Sequence, residues 1–390
     1  MRSVLLATFI LIVDAAVFKH DLSWKPSRFE RMLKRGEWSA FLDYMKKMME
    51  MNPEEFFSSS QTLTDHVYYE YMGNITIGSD KQPFTVVFDT SSASLFVPSM
   101  YCKTFCDTKR HFNPSTSETF MDTGKPFVVK YFSGNASGIL ATDSVALGDA
   151  TETQLVIPKS YFGVVDTVPQ DFQWDPKEGV IGLAFSSLAS GSITPPLINA
   201  INQGLLSQPI FTTWFNRRAA ISEAASGTIT YGALDIEHCG DVIAYQQLSI
   251  ASYFQFKASS FSLGSYSDNK VYQVILDTAT SFLCGPQAVV NSLAKAAGAV
   301  YDEKNQVFNI DCNNAKEPLK LTIGANIYEI QPENYIIQWD TESCMFAAIP
   351  QSFAGFSPDW ILGLPFLRQY CVVHDLGRQR VGFAKALSGK

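Results

Sequence analysis

The chain reads as an all-β protein of two related lobes, and two observations predict that architecture. From Tyr68 onward, apolar and polar residues alternate in short runs broken by turn residues, with few long helical periods. The second observation is a repeat at domain scale. The stretch Thr85-Val86-Val87-Phe88-Asp89-Thr90-Ser91-Ser92-Ala93-Ser94-Leu95-Phe96-Val97-Pro98 has a counterpart in Val274-Ile275-Leu276-Asp277-Thr278-Ala279-Thr280-Ser281-Phe282-Leu283-Cys284-Gly285-Pro286. Each copy runs from an apolar strand through Asp-Thr and a small residue to an apolar pair and Pro. Each also has a downstream partner, Gly179-Val180-Ile181-Gly182-Leu183-Ala184 and Trp360-Ile361-Leu362-Gly363-Leu364.

Taken in order, the chain opens with Arg2, an apolar run from Val4 to Val13 and the small pair Ala15-Ala16. That pattern predicts a cleaved signal peptide over 1–16, because the run is well short of the ~20 residues that span a bilayer. Ser27 to Gly36 and Glu37 to Met51 carry helical spacing, with Gly36 and Asn52-Pro53 as stops. Strands are expected at Gly73 to Gly78, at the Asp89 stretch and at Phe127 to Tyr131, and short helices near Thr194 to Gly204 and Gln287 to Gly298. The lobe boundary is placed at Gly232-Ala233-Leu234-Asp235, giving lobes of 63–235 and 236–390.

Composition fits this reading: 46% of the 390 residues are hydrophobic, 17% are charged, and the net charge is −8. An acidic chain of this kind has no electrostatic appetite for nucleic acid. Seven cysteines in a secretory chain leave one over. Zinc is the alternative use for them, but no paired Cys-x-x-Cys spacing is present and His is scarce. Asn74-Ile75-Thr76 and Asn135-Ala136-Ser137 are glycosylation sequons at Asn74 and Asn135.

Two related lobes, each presenting one Asp on a turn, can bring Asp89 and Asp277 face to face. Two carboxyl groups within hydrogen-bond reach cannot both ionise cheaply, so they share a proton. One can then serve as base on a water while the other polarises a carbonyl, with the hydroxyls of Thr90, Ser92, Thr278 and Thr280 holding them. The chemistry requires no metal and no cofactor.

These motifs resemble those of the pepsin-like aspartic proteases over almost the whole chain. Asp89 to Ser92 and Asp277 to Thr280 resemble the two Asp-Thr-Gly-Ser/Thr signatures. Tyr131-Phe132-Ser133-Gly134-Asn135 resembles the flap that closes over substrate. Gly138-Ile139-Leu140 with Asp143-Ser144-Val145 resembles the segment just beyond that flap. Ile361-Leu362-Gly363, Phe366 to Tyr370 and Arg380-Val381-Gly382-Phe383-Ala384 resemble the closing motifs. The resemblance implies a two-lobed fold, a peptide or protein substrate, Tyr131 on the flap, and a monomer. It also implies residence in the secretory pathway, outside the cell or in the lysosome, with no membrane contact after signal cleavage. Residues 17–62 would be a propeptide cut between Ser58 and Leu63, and Lys46 and Lys47 are its nearest cations for the dyad. The implied disulfides are Cys102–Cys106, Cys312–Cys344 and Cys239–Cys371, with Cys284 free.

The pattern departs from the family at informative places. Ser91 and Ala279 stand where the signatures have Gly, Phe96 where Trp is usual, Phe132 where the flap has Gly, and Leu364 where Asp is frequent. A Cβ at 91 and 279 crowds positions where backbone and substrate approach, and ~1 Å of displacement can cost ~100-fold in rate. Two functions are therefore carried forward. An acid endopeptidase is favoured by both Asp residues and their hydroxyl neighbours; a peptide-binding pseudoprotease is favoured by Ser91, Ala279, Phe96 and Phe132.

Overall fold

The computed structural model describes residues 16–51, 71–131, 134–151, 153–216, 226–314, 316–351 and 358–387, with backbone alone at 45, 46, 48–51, 131 and 171. The expected signal peptide up to residue 15, the expected cleavage region and Phe132 lie outside the described residues, as do the side chains of Lys46 and Tyr131. Among the described residues, no helix is long and apolar enough to cross a membrane.

The fold is mostly β. Among the described residues, one long sheet carries thirteen strands, a second carries the strand leading to Asp277, and a smaller four-stranded sheet is built from strands within 300–310 and 336–346. The first sheet joins the two halves of the chain. Strands Tyr370–Asp375 and Arg380–Ala386, from the C-terminal end, pair with Ile210–Phe215 and Cys239–Gln247. Helices are few, and two stand where spacing and turn residues put them, at Pro196–Asn202 and Gln287–Ala297. The second ends on Gly298 at φ +80°, a left-handed conformation that glycine adopts at no steric cost.

The internal repeat becomes a repeated strand motif. Strand Gln82–Asp89 runs parallel to Gly179–Gly182, with Asp89 opposite Gly182, and Leu95–Pro98 lies antiparallel on the other side. In the second copy, Tyr266–Leu276 runs parallel to Trp360–Leu362, with Leu283–Gly285 antiparallel beside it. Each Asp thus leaves a strand buried on both faces and enters a turn held by its downstream partner. The two glycines of those partners make this possible. A Cβ on Gly182 would sit 2.3 Å from the Ala93 amide nitrogen, and one on Gly363 2.2 Å from the Thr280 carbonyl oxygen.

The N-terminal segment is built into the molecule. Strand Phe18–Trp24 fills a place in the long sheet between Gly227–Tyr231 and Tyr71–Ile77. Helices Arg28–Lys34 and Trp38–Met51 come next, the first capped by Ser27, whose Oγ accepts the Glu30 amide at 3.3 Å. They span the two halves: Phe29 meets Phe282 edge-on at 5.5 Å, Trp38 Nε1 donates to the Asn305 carbonyl at 2.9 Å, and Phe41 faces Trp174 at 6.3 Å. Three cysteine pairs lie at bonding distance, Cys102–Cys106, Cys239–Cys371 and Cys312–Cys344, while Cys284 is buried and unpaired.

Candidate active site

The two Asp-Thr turns meet at the centre of the molecule and hold each other. The Thr90 amide donates to Thr278 Oγ1 at 3.1 Å, and the Thr278 amide donates to Thr90 Oγ1 at 3.1 Å. Each hydroxyl then donates across to the opposite strand, Thr90 to the Leu276 carbonyl at 2.9 Å and Thr278 to the Phe88 carbonyl at 2.6 Å. Backbone and side-chain groups are thereby satisfied in a buried place, where each unmet one would cost about 1–3 kcal/mol. Threonine suits the task because it supplies both a donor and an acceptor on a stiff side chain.

Asp89 and Asp277 are 4% and 0% exposed. Asp89 Oδ1 accepts the Ser91 amide at 2.7 Å and the Ser91 hydroxyl at 2.6 Å. Asp277 Oδ1 accepts the Ala279 amide at 2.8 Å, and its Oδ2 accepts the Thr280 hydroxyl at 2.6 Å. Ser92, in the place that Thr280 takes in the other turn, lies near enough to Asp89 to favour its charge but short of hydrogen-bond geometry. The backbone at 91 and 279 is not left-handed, so neither position needs glycine for its conformation. The Ala279 methyl is absorbed between Met72 and Val87.

Burial pushes both carboxyl groups upward. Asp277 rises to about 7, through burial first and the Asp89 charge second, against the pull of Thr280, the Ala279 amide and Ser91. Asp89 is raised by burial and drawn back by Ser91, Ser92 and the charge of Lys177. The titration belongs to the pair, and burial together with the facing charge favours retention of a proton on it. Such a pair offers a base and an acid side by side; aspartic-protease dyads are the standard instance of it.

Two further residues act on the site and escaped the sequence reading. Tyr253 packs with the cluster containing Phe29 and Phe282, and its phenol is raised to about 12 by burial and by the charges of Asp89 and Asp277. Lys177, fully buried, is paired with Asp175 at 2.9 Å and lies over the Phe172 ring. Neither belongs to a motif, and a Tyr or Lys beside a strand carries no signal of its own.

Tyr131, expected on the flap, closes strand Met121–Tyr131 opposite Gly134. Phe96 is buried against Phe127 and Phe172, an apolar setting that suits Phe. Asn135 is exposed at the start of strand Gly134–Leu147. Asn74 is exposed too, but its side chain is engaged: Nδ2 donates to Asp149 at 2.9 Å and Oδ1 accepts from Thr85 at 2.8 Å. Among the described residues, no cluster of His, Cys, Asp or Glu is arranged to hold a metal ion.

Comparison with known proteins finds relatives along almost the whole chain. A model of the eukaryotic aspartyl protease family matches residues 70–386. Aspartic protease 6 of Caenorhabditis elegans is 46% identical over 387 residues, covering 99% of this chain and 100% of that protein. Aspartic protease 2 of Necator americanus is 31% identical, covering 98% of this chain and 99% of its own length. Pepsin A of Canis lupus familiaris is 30% identical with the same coverage, 98% and 99%.

Proposed function

Because this chain belongs to the eukaryotic aspartyl protease family, we propose that it is an acid endopeptidase made as a secretory-pathway zymogen. The observation that carries this reading is that both amide-to-carboxylate bonds persist despite Ser91 and Ala279, at 2.7 and 2.8 Å. The Thr90–Thr278 grip beneath them is complete.

In the proposed mechanism, Asp89 and Asp277 bind a water between them. The ionised carboxylate takes a proton from that water as it attacks the peptide carbonyl, and the protonated partner donates to the carbonyl oxygen. The first carboxyl then passes the water's proton to the leaving nitrogen as the C–N bond breaks, and the second takes a proton back from a hydroxyl of the tetrahedral intermediate. Ser91, Thr280 and the two amides fix the carboxylates. Tyr131 would cover an extended peptide from the flap, and Ser92 would steady Asp89.

Residues 17–62 act as the propeptide in this reading, supported by the helices that lie across both halves above the dyad. The disulfides and the apolar leader support secretory transit, to the exterior or the lysosome. Asn135 is the better-presented glycosylation acceptor, since glycosylating Asn74 requires its bond to Asp149 to break.

The test is hydrolysis of an unfolded protein at about pH 4 by full-length protein after its N-terminal segment has been released. Asp89→Asn and a statine-type inhibitor serve as controls. Turnover that both controls abolish supports the endopeptidase. Inhibitor binding without turnover supports the second reading, a peptide-binding pseudoprotease. One observation favours that alternative: the Ser91 hydroxyl takes an additional acceptor site on Asp89, on the oxygen that already holds the amide.

A further inference from the structure

Asp175 lies on the wall of the cleft that the N-terminal helices cover. It comes just after the short turn Gln170–Trp174 and precedes strand Gly179–Gly182, whose Gly182 is opposite Asp89. Phe172 of that turn packs on Phe96, just beyond the Asp89 turn, at 5.7 Å. The neighbouring Lys177 is close enough for its charge to act on Asp89. Helix Arg28–Lys34 crosses above, with Phe29 on Phe282 of the opposite wall and its arginines over Asp175.

The contacts at Asp175 divide into two sets. Lys177 takes Oδ2 at 2.9 Å, and Lys109 Nζ donates to the Asp175 main-chain carbonyl. Those partners belong to the body of the protein and stay when the N-terminal segment departs. Arg31 Nη2 takes the others, donating to Asp175 Oδ1 at 3.1 Å and to the Trp174 carbonyl at 2.9 Å. Arg28 approaches Oδ2 at 3.8 Å. A carboxylate oxygen and a carbonyl oxygen thus converge on one guanidinium nitrogen, while Nη1 donates to the Pro26 carbonyl of the N-terminal segment itself; the contact to Oδ1 is a charge-assisted one.

We propose that Asp175 Oδ1 and the Trp174 carbonyl form a subsite for the guanidinium of a substrate arginine, occupied by Arg31 until the N-terminal segment is released. This rests on the endopeptidase reading and adds a side-chain preference to it. Loss of Arg31 and Arg28 removes two cations from Asp175 and leaves Lys177 as its counter-charge from the body of the protein, so Oδ1 and the Trp174 carbonyl favour a new cationic donor.

The experiment uses full-length protein opened by acid or by limited proteolysis within 52–62, with N-terminal sequencing to establish loss of 17–51. Statine-containing octapeptides are prepared with Arg at one position at a time, each matched by a citrulline peptide of the same shape without the charge. Binding is read by fluorescence polarisation, independently of turnover. At one position, Arg should bind about tenfold more tightly than citrulline, and Asp175→Asn should reduce that ratio to about twofold or less. Because Asp175→Asn leaves the buried Lys177 charge uncompensated, the unmutated protein's Arg-to-citrulline ratio carries the test alone if the variant fails to fold. Equal binding at every position, or tighter binding of a glutamate peptide than of the arginine one, overturns the subsite. Peptides that bind without an arginine preference sink this inference and leave the endopeptidase standing. Absence of all peptide binding sinks both.

Discussion

The two Asp turns share a backbone and differ in their hydroxyls. Both leave a parallel strand, both are gripped by the opposite threonine, and both present an amide to Oδ1. The side chains then part. Around Asp89 the hydroxyl comes from Ser91 and lands on the oxygen that already holds the amide; around Asp277 it comes from Thr280 and lands on the other oxygen. Position 279 carries only a methyl, which the core takes in. Strand pairing dictates the backbone symmetry, whereas each carboxylate's electrostatics depends on one or two side-chain atoms that duplication leaves free to drift.

The largest expected effect tests the sharing of one proton. Asp89→Asn and Asp277→Asn should each reduce kcat by about 1000-fold or more, because removing either half leaves no acid–base pair. A variant that retains most of its turnover in a single-turnover assay would break the equivalence of the two turns.

Next in size are the glycines behind the turns. Gly182→Ala and Gly363→Ala should each destabilise the fold by about 3 kcal/mol, since each new Cβ would lie within 2.3 Å of main-chain atoms. Urea unfolding measures this, and a large difference between the two would show that the lobes are less alike than their strands.

Ser91→Gly and Ala279→Gly sharpen the comparison directly. Ser91 donates to Asp89 and favours its charge, so Ser91→Gly should move the acid limb of the pH–rate profile to higher pH. Ala279→Gly should leave the profile in place and cost about 1 kcal/mol through lost packing and added chain freedom. If both shift the profile equally, the asymmetry between the two turns has no catalytic consequence.

The smallest effects concern pH and stability, where the dyad and the N-terminal strand pull in opposite directions. Asp277 titrates near 7 in the fold against 3.8 unfolded. The folded chain therefore keeps a proton that the unfolded chain loses, and the dyad's contribution is most favourable below pH 3.8 and declines as pH rises towards 7. Asp277→Asn should flatten that decline in thermal melts between about pH 4 and pH 7. His20 is the reverse case, lowered by burial from 6.5 to about 4. It is buried beside Phe88, with Nδ1 3.4 Å from the Tyr231 hydroxyl, Nε2 unpartnered among the described residues, and Asp149 as the charge that acts on it. The unfolded chain binds a proton below pH 6.5 that the folded chain refuses until about pH 4, so acid weakens strand Phe18–Trp24 across that window. Amide protection factors in the strand should fall across that window once intrinsic exchange is corrected for pH, and His20→Gln should remove the fall.

Much of this molecule was legible because its signals are local or repeated. Alternation, turn residues and the doubled Asp-Thr stretch indicate a mostly β chain with two facing carboxylates, and the downstream stretches around Gly182 and Gly363 complete the repeat. Asp175, Lys177 and Tyr253 were not legible. Their importance arises from the opposite wall of a cleft and from a helix some 140 residues earlier in the chain, as with Arg31 and Asp175. Neither spacing nor residue type announces such contacts.

By itself the sequence determined the strand periodicity, the duplication, the presence of a carboxylate on each copy, and the Ser and Ala at 91 and 279 where the resemblance leads one to expect Gly. Only the tertiary structure decided what those replacements do. The direction of the Ser91 hydroxyl and the room for the Ala279 methyl depend on atoms brought in from distant strands, and whether an added Cβ is harmless or harmful depends on who its neighbours are.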